Sequence, residues 1–167
     1  ARIQKEVNPS DVLASSDYSM WRYLPLLPIS PPDFEDTPLK SVGWTPTYLS
    51  KSIGKTIGLE NLYLKDESSN PTASFKDRAS ALLVARAQEI NAEIIITAST
   101  GNAGAALAGM SAAVGQKSIV LAPKTAPPAK IAQLAIYGAQ VLLVDGSYDD
   151  CVALASEAAE KFGWYCR

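Results

Sequence analysis

The chain has 167 residues, 47% of them hydrophobic and 19% charged, with a net charge of −2; this is a globular composition with room for one ordinary domain or two small lobes, and it excludes disorder as the default. The absence of histidine removes Ser-His and Cys-His catalysis and the commonest metal ligand, so no metal is expected. An acidic balance without a Lys/Arg run excludes a nucleic-acid footprint, and no apolar run is long enough to span a membrane as a helix.

Residues 1 to about 45 read as irregular and proline-dense, with Pro9, Pro25, Pro28, Pro31, Pro32 and Pro38. Between them, Met20-Trp21-Arg22-Tyr23-Leu24 and Leu26-Leu27 concentrate aromatic and aliphatic side chains. That patch reads as an arm that packs on the domain or on a second subunit rather than as a ligand site. Asn61 to Glu67 alternates apolar and polar residues and predicts a strand. Its end, Lys65-Asp66-Glu67, is a solvated strand end on the plain reading; on the functional one, Lys65 adds charge to the cleft that holds Lys76.

Asn70-Pro71-Thr72-Ala73-Ser74-Phe75-Lys76-Asp77-Arg78 follows. Asn-Pro is turn chemistry, and Ser74 with Asp77 three residues on is a capping-box spacing, which predicts an N-cap at Ser74 and Lys76 at the second helical position. Ala79, Leu82, Leu83, Ala87 and Ile90 then lie at helical spacing. A lysine at a helix N-terminus meets partial positive charge. Either it points into solvent, or its nitrogen is kept neutral as a nucleophile toward carbonyls.

Ile94-Ile95-Ile96 reads as a strand buried on both faces of a parallel sheet. Ser99-Thr100-Gly101-Asn102-Ala103-Gly104 stands at its carboxyl end and opens a small-residue helix reaching about Val114. Ligands of open α/β sheets bind at that position, and backbone N–H groups with nearby hydroxyls suit an anion. Gly101 is free to take positive φ, and Gly104 permits close approach. The spacing is neither a dinucleotide fingerprint nor a P-loop, so alone it is a turn as readily as a site. Strands at 118–122 and 141–144 alternate with helices that begin at Pro127-Pro128 and at Ser147, whose capping-box partner is Asp150, and Trp164-Tyr165-Cys166 starts a fourth strand. This rhythm predicts an α/β fold with a parallel sheet flanked by helices. Cys151 and Cys166 form neither a metal motif nor a secreted disulfide framework, which suits a reducing compartment. The chain opens on Ala1 without a signal-peptide pattern, as in a processed or trimmed form.

Together, the lysine segment and the Ser99–Gly104 loop resemble the fold-type II pyridoxal-phosphate enzymes (tryptophan synthase β-like), which carry N-P-T-G-S-F-K-D-R and S-x-G-N-x-G segments. The Trp21-Arg22-Tyr23 patch, Leu26-Leu27-Pro28 and Gly43-Trp44-Thr45-Pro46 resemble the members that turn O-phospho-L-homoserine and water into L-threonine and phosphate by γ-elimination and β-hydration. The resemblance covers nearly all of the chain from Trp21 on. It implies pyridoxal 5'-phosphate as cofactor, with Lys76 as the imine lysine and acid/base and Phe75 shaping the pocket beside it. By the same resemblance Asn102 hydrogen-bonds the pyridine 3-oxygen, and Ser99, Thr100 and Gly101 bind the amino-acid carboxylate. Lys65 is the expected partner of the substrate phosphate. A lyase of threonine biosynthesis, homodimeric as a full-length protein and cytoplasmic (plastidic if from a plant), is the implied setting.

Ala73 stands where the family carries glycine, a minor change if φ there is negative. No glycine-rich loop for the cofactor phosphate occurs before Arg167. The expected organisation is therefore an N-terminal portion of a longer enzyme, inactive alone. It comprises an arm and part of the larger domain in residues 1–90 and a truncated smaller α/β domain in residues 91–167. The rival readings are a serine/threonine dehydratase on the same scaffold and a non-catalytic α/β module that binds an anion at Ser99–Gly104.

Overall fold

A computed structural model describes residues 7–167. Its centre is a four-stranded parallel sheet in the order β5-β4-β3-β6, with β3 at Ile94–Ala98, β4 at Lys117–Pro123, β5 at Gln140–Val144 and β6 at Tyr165–Cys166. Each crossover is a helix: α4 at Asn102–Ala113, α5 at Pro128–Ile136 and α6 at Tyr148–Phe162. The register sets Ile95 against Ser118 and Ile96 against Ile119, and it pairs Ile95 with Tyr165 on the other side. Because successive side chains of a strand face opposite sides, β3 feeds two cores. Ile95 is buried with Leu107 and Met110 of α4, whereas Ile96 is buried with Cys151, Ala155 and Ala159 of α6.

The punctuation follows local chemistry. Pro128 begins α5, where a missing N–H costs nothing. Ser147 and Asp150 close a complete capping box on α6, and Gly163 ends it in the left-handed conformation at φ 70°. Outside the main sheet, β1 (Thr47–Leu49) and β2 (Tyr63–Lys65) form an antiparallel pair around α2 (Lys51–Ile57). No sequence periodicity had marked α2 or β1. No helix among the described residues is long and apolar enough to cross a membrane.

α3 spans Lys76–Glu89, and its buried side overlaps the expected stripe in part, at Ala87 and the half-buried Leu82 and Leu83. Ala81, Val84, Ala85 and Ala87 are buried, while Ala79 and Ile90 are exposed. The buried side also carries Asp77 and Ser80, which a hydrophobic-periodicity reading discards. Small residues won that face because α3 packs directly on α4, and a narrow contact needs short side chains more than apolar ones. Leu82 and Leu83, half-buried against the same core, also line a groove with Pro28 and Ile29.

The N-terminal arm packs on the domain. It contains a short helix, α1 (Pro9–Ala14), and 3-10 turns at Met20–Leu26 and Pro38–Ser41. Met20, Trp21, Phe34, Leu39 and Val42 join the core formed with α3, β3 and α4. The indole of Trp21 donates Nε1–H to the Leu39 carbonyl at 2.7 Å and packs against Phe34 with ring centroids 5.4 Å apart. Trp21→Phe keeps most of the ring but removes the indole's bond and leaves the Leu39 carbonyl only the Val42 N–H at 3.3 Å, a loss of about 0.5–1.5 kcal/mol, and Trp21→Ala costs about 3–5 kcal/mol. Denaturant melts of the two variants should fall in that order, and unchanged midpoints would mean that the arm is not part of the cooperative core.

Candidate active site

The lysine segment is built around two carboxylates. Glu67 lies in a 3-10 turn, Glu67–Ser69, directly after β2. Its Oε1 accepts from Thr45 Oγ1 and from Arg78 Nη2, each at 2.8 Å. Its Oε2 accepts from Arg78 Nε at 2.8 Å and from Asn70 Nδ2 at 2.9 Å. The bidentate Arg78 fork is the main reason the Glu67 carboxyl is lowered to about 2; burial opposes it, and Thr45 and Asn70 add to the lowering. Glu67 therefore belongs to a network and is not the solvated strand end that composition suggests. Asn70, itself buried, extends that network by accepting from the Gly43 N–H at 3.0 Å and donating to the Ser74 carbonyl at 3.2 Å.

The second carboxylate is Asp77, which is fully buried. It takes the Thr72 N–H at 2.6 Å on Oδ2 and the Thr72 hydroxyl on Oδ1. The expected capping box with Ser74 does not form. Thr72 offers Asp77 two donors from the incoming chain, and the Ser74 hydroxyl oxygen accepts instead from the Lys76 N–H at 3.0 Å. The helix accordingly starts at Lys76, with Phe75 in the cap position already helical. Ala73 sits at φ 56°, not in the negative-φ region that would have made its replacement of glycine minor.

Between these two anchors Lys76 is exposed. Its Nζ lies 5.5 Å from the Phe75 ring centroid, and among the described residues it has no hydrogen-bond or ion-pair partner. The flanking charged side chains, Asp77 and Arg78, both turn back into the structure.

The other half of the site opens α4. Ser99 continues the β3–β4 ladder, its N–H donating to the Leu121 carbonyl at 3.2 Å, and the Gly101 N–H reaches Ser99 Oγ at 3.3 Å. Gly101 has φ −99° and uses none of glycine's special freedom. Gly104 does need its missing side chain, since a Cβ there would stand 2.4 Å from the Ser99 carbonyl oxygen. Gly101 and Asn102 are exposed and Thr100 is half-buried at the loop's outer edge. The two halves meet through the α3–α4 contact, and the Thr72 methyl would lie 2.6 Å from a Cβ placed at Gly109.

Two cavities take one expected residue each, and Lys76, Phe75, Thr100, Gly101 and Asn102 line neither. Ser99 lines one of about 270 Å³ with Thr97, Ala103, Tyr148, Ser156 and Arg167. Lys65 lines another, of about 610 Å³, with Tyr23, Trp44, Thr45 and Arg78, and its Nζ donates to the Thr45 carbonyl at 2.8 Å. Lys65 is thus not brought together with Ser99. Sequence reasoning missed the anchoring by Glu67 and Thr72 and misread Asp77. The one available signal was that these residues bracket an Asn-Pro turn and a helix start.

This geometry suits a lysine presented to a carbonyl cofactor, and similarity points the same way. Residues 39–167 match the family model of pyridoxal-phosphate dependent enzymes, and the chain belongs to that family, with its fold-type II architecture. At the level of individual relatives, it is 38% identical over 160 residues to the threonine synthase of Methanocaldococcus jannaschii, covering 94% of this chain and 38% of that protein. It is 40% identical over 144 residues to that of a Bacillus species, covering 84% of this chain and 40% of that protein. The chain therefore spans about two fifths of these curated relatives. Among solved structures, O-ureido-L-serine synthase superposes with a TM-score of 0.67 at 27% identity, over 78% of this chain and 43% of that one. The processed threonine deaminase isoform 2 of Solanum lycopersicum gives 0.65 at 26%, over 74% and 34%.

The Glu67 carboxyl lies at about 2 against an ordinary 4.5. A depressed folded-state value contributes stability that is complete above 4.5 and is lost as pH falls toward 2. The stability difference between wild type and Glu67→Gln, from urea melts, should hold steady above pH 5 and shrink across that window. A difference that stays flat to pH 2 would contradict the anchoring.

Proposed function

We propose that this chain carries the lysine-bearing part of a pyridoxal-phosphate enzyme that converts O-phospho-L-homoserine and water into L-threonine and phosphate. The observation that carries the reading is Lys76. It is an exposed amine without a partner among the described residues, on a segment whose neighbouring charges are all consumed by the structure. An amine at a helix N-terminus with no carboxylate partner among the described residues fits a carbonyl cofactor, because no ion pair has to be broken before the nitrogen can reach it. Threonine synthases at 34–40% identity support the choice of reaction.

When bound, pyridoxal phosphate supplies an electron sink for carbanion chemistry, and the protein's task is binding and orientation. Lys76 Nζ would hold the cofactor covalently and move protons to and from the substrate carbons. Phe75, exposed beside it, would cover one side of the pocket. The exposed Asn102 amide would donate to the cofactor's ring oxygen. Ser99, Thr100 and the Gly101 N–H, at the amino end of α4, would hold the substrate carboxylate, where the helix terminus favours negative charge. Lys65 gives one of its three N–H donors to the Thr45 carbonyl and lines the other cavity, and its remaining donors would meet the substrate phosphate.

Incubated with pyridoxal phosphate, the full-length protein should develop a visible absorption that borohydride bleaches, and should release phosphate and threonine from O-phosphohomoserine. Lys76→Ala should abolish the absorption and lower turnover by about 10²–10⁴-fold or more. Absorption that survives in Lys76→Ala would overturn the assignment of the lysine. Release of a keto acid from threonine, with no phosphate from O-phosphohomoserine, would move the enzyme to the dehydratases.

A further inference from the structure

We propose that Asp77 is a positioning residue whose buried carboxylate holds the Thr72–Ala73 turn in a strained conformation and thereby sets where Lys76 leaves the backbone. The inference rests on the reading of Lys76 as the cofactor lysine.

Two independent observations meet here. The first is Ala73 at φ 56°, with its N–H donated to the Asn70 carbonyl at 2.8 Å. A side chain with a Cβ disfavours that region, which glycine enters freely. Relative to glycine, alanine shifts the balance between this turn and a relaxed one by about 5–30-fold toward relaxation. The second is the use made of Asp77. It is fully buried, it has no ion-pair partner among the described residues, and both its oxygens are given to Thr72. Those bonds close a ring across residues 72–77, so that Ala73 and Lys76 lie on one short tether. Two donors of one residue meeting both oxygens of one carboxyl hold the turn at two points, which suits a clamp that must overcome local strain. On its far side the Thr72 methyl rests against α4 at Gly109, so a turn that relaxed would move the lysine relative to the helix that opens at Asn102.

Clamp and strain are therefore coupled, and coupling makes a distinct prediction: relieving the strain should make the clamp dispensable. In the full-length protein, pyridoxal phosphate affinity is read from the borohydride-sensitive absorption, at a temperature where circular dichroism shows every variant folded. Asp77→Asn, which turns an amide toward one of the two Thr72 donors, should weaken affinity about tenfold or more. Ala73→Gly alone should stay within about threefold of wild type, and Ala73→Gly with Asp77→Asn should return to within about threefold of Ala73→Gly. Hydrogen exchange of residues 70–78, measured without cofactor, should speed up in Asp77→Asn and slow again in the double variant. If Asp77→Asn does not fold, Thr72→Val, which removes only the hydroxyl given to Oδ1, carries the same comparison with Ala73→Gly. A double variant as weak as Asp77→Asn, or exchange that Asp77→Asn leaves unchanged, overturns the proposal. Absorption that does not depend on Lys76 would overturn the reading of the lysine instead, and the exchange measurement would still decide the clamp.

Discussion

The carboxylate of Glu67 is the constraint on which the rest of this structure leans. Its two oxygens gather Thr45 from the loop before β1, Asn70 from the lysine segment and Arg78 from the first turn of α3. Three stretches of chain that are separate in sequence are thereby fixed to one another at a single point. The pair is largely withdrawn from water, with side-chain exposures of 24% for Arg78 and 21% for Glu67. Removing either partner would leave a half-buried charge without its partner, at a cost of about 1–3 kcal/mol.

From that anchor the geometry of the site follows in order. Asn70 is tied to Gly43 and Ser74, so the chain enters the turn with a set direction. Asp77 closes the turn on Thr72, and α3 begins immediately, with a face narrow enough to lie against α4. α4 in turn begins at the carboxyl end of β3, with Gly104 pressed against the Ser99 carbonyl. The lysine and the anion-suited loop thus stand on the first turns of two helices that pack together. Rigid elements hold both, and the unpaired side chain on the lysine turn is the one that chemistry would use.

Much of the parallel-sheet portion was legible from residue patterns. The triple isoleucine run, the capping box at Ser147 and Asp150, Pro128 and Gly163 are local signals, and each performs the local job its chemistry prescribes. The positions of Lys76 and of the Ser99–Gly104 loop, at a helix start and a strand end, were legible for the same reason. Elsewhere the patterns misled. The capping-box spacing of Ser74 and Asp77 was real, yet Thr72 presented Asp77 with two donors. Of the apolar stripe Ala79, Leu82, Leu83, Ala87 and Ile90, Ala87 is buried and the two leucines pack half-buried on the core, yet Ala79 and Ile90 are exposed and Ser80, Ala81 and Ala85 are buried in their stead.

The sequence by itself determined the alternation of strands and helices, the membership of a pyridoxal-phosphate enzyme family and the two segments proposed to carry its chemistry. The alternation resides in short-range patterns, namely side-chain period, turn residues and caps, and the family in the resemblance of the Asn70–Arg78 and Ser99–Gly104 motifs. Tertiary structure alone decided that Glu67 and Asp77 are anchors, that Ala73 is strained, and that Lys65 lies in a different cavity from Ser99. Each of these depends on which donor or which helix face arrives from a distant part of the chain. A carboxylate looks the same in the sequence whether it meets water or an arginine.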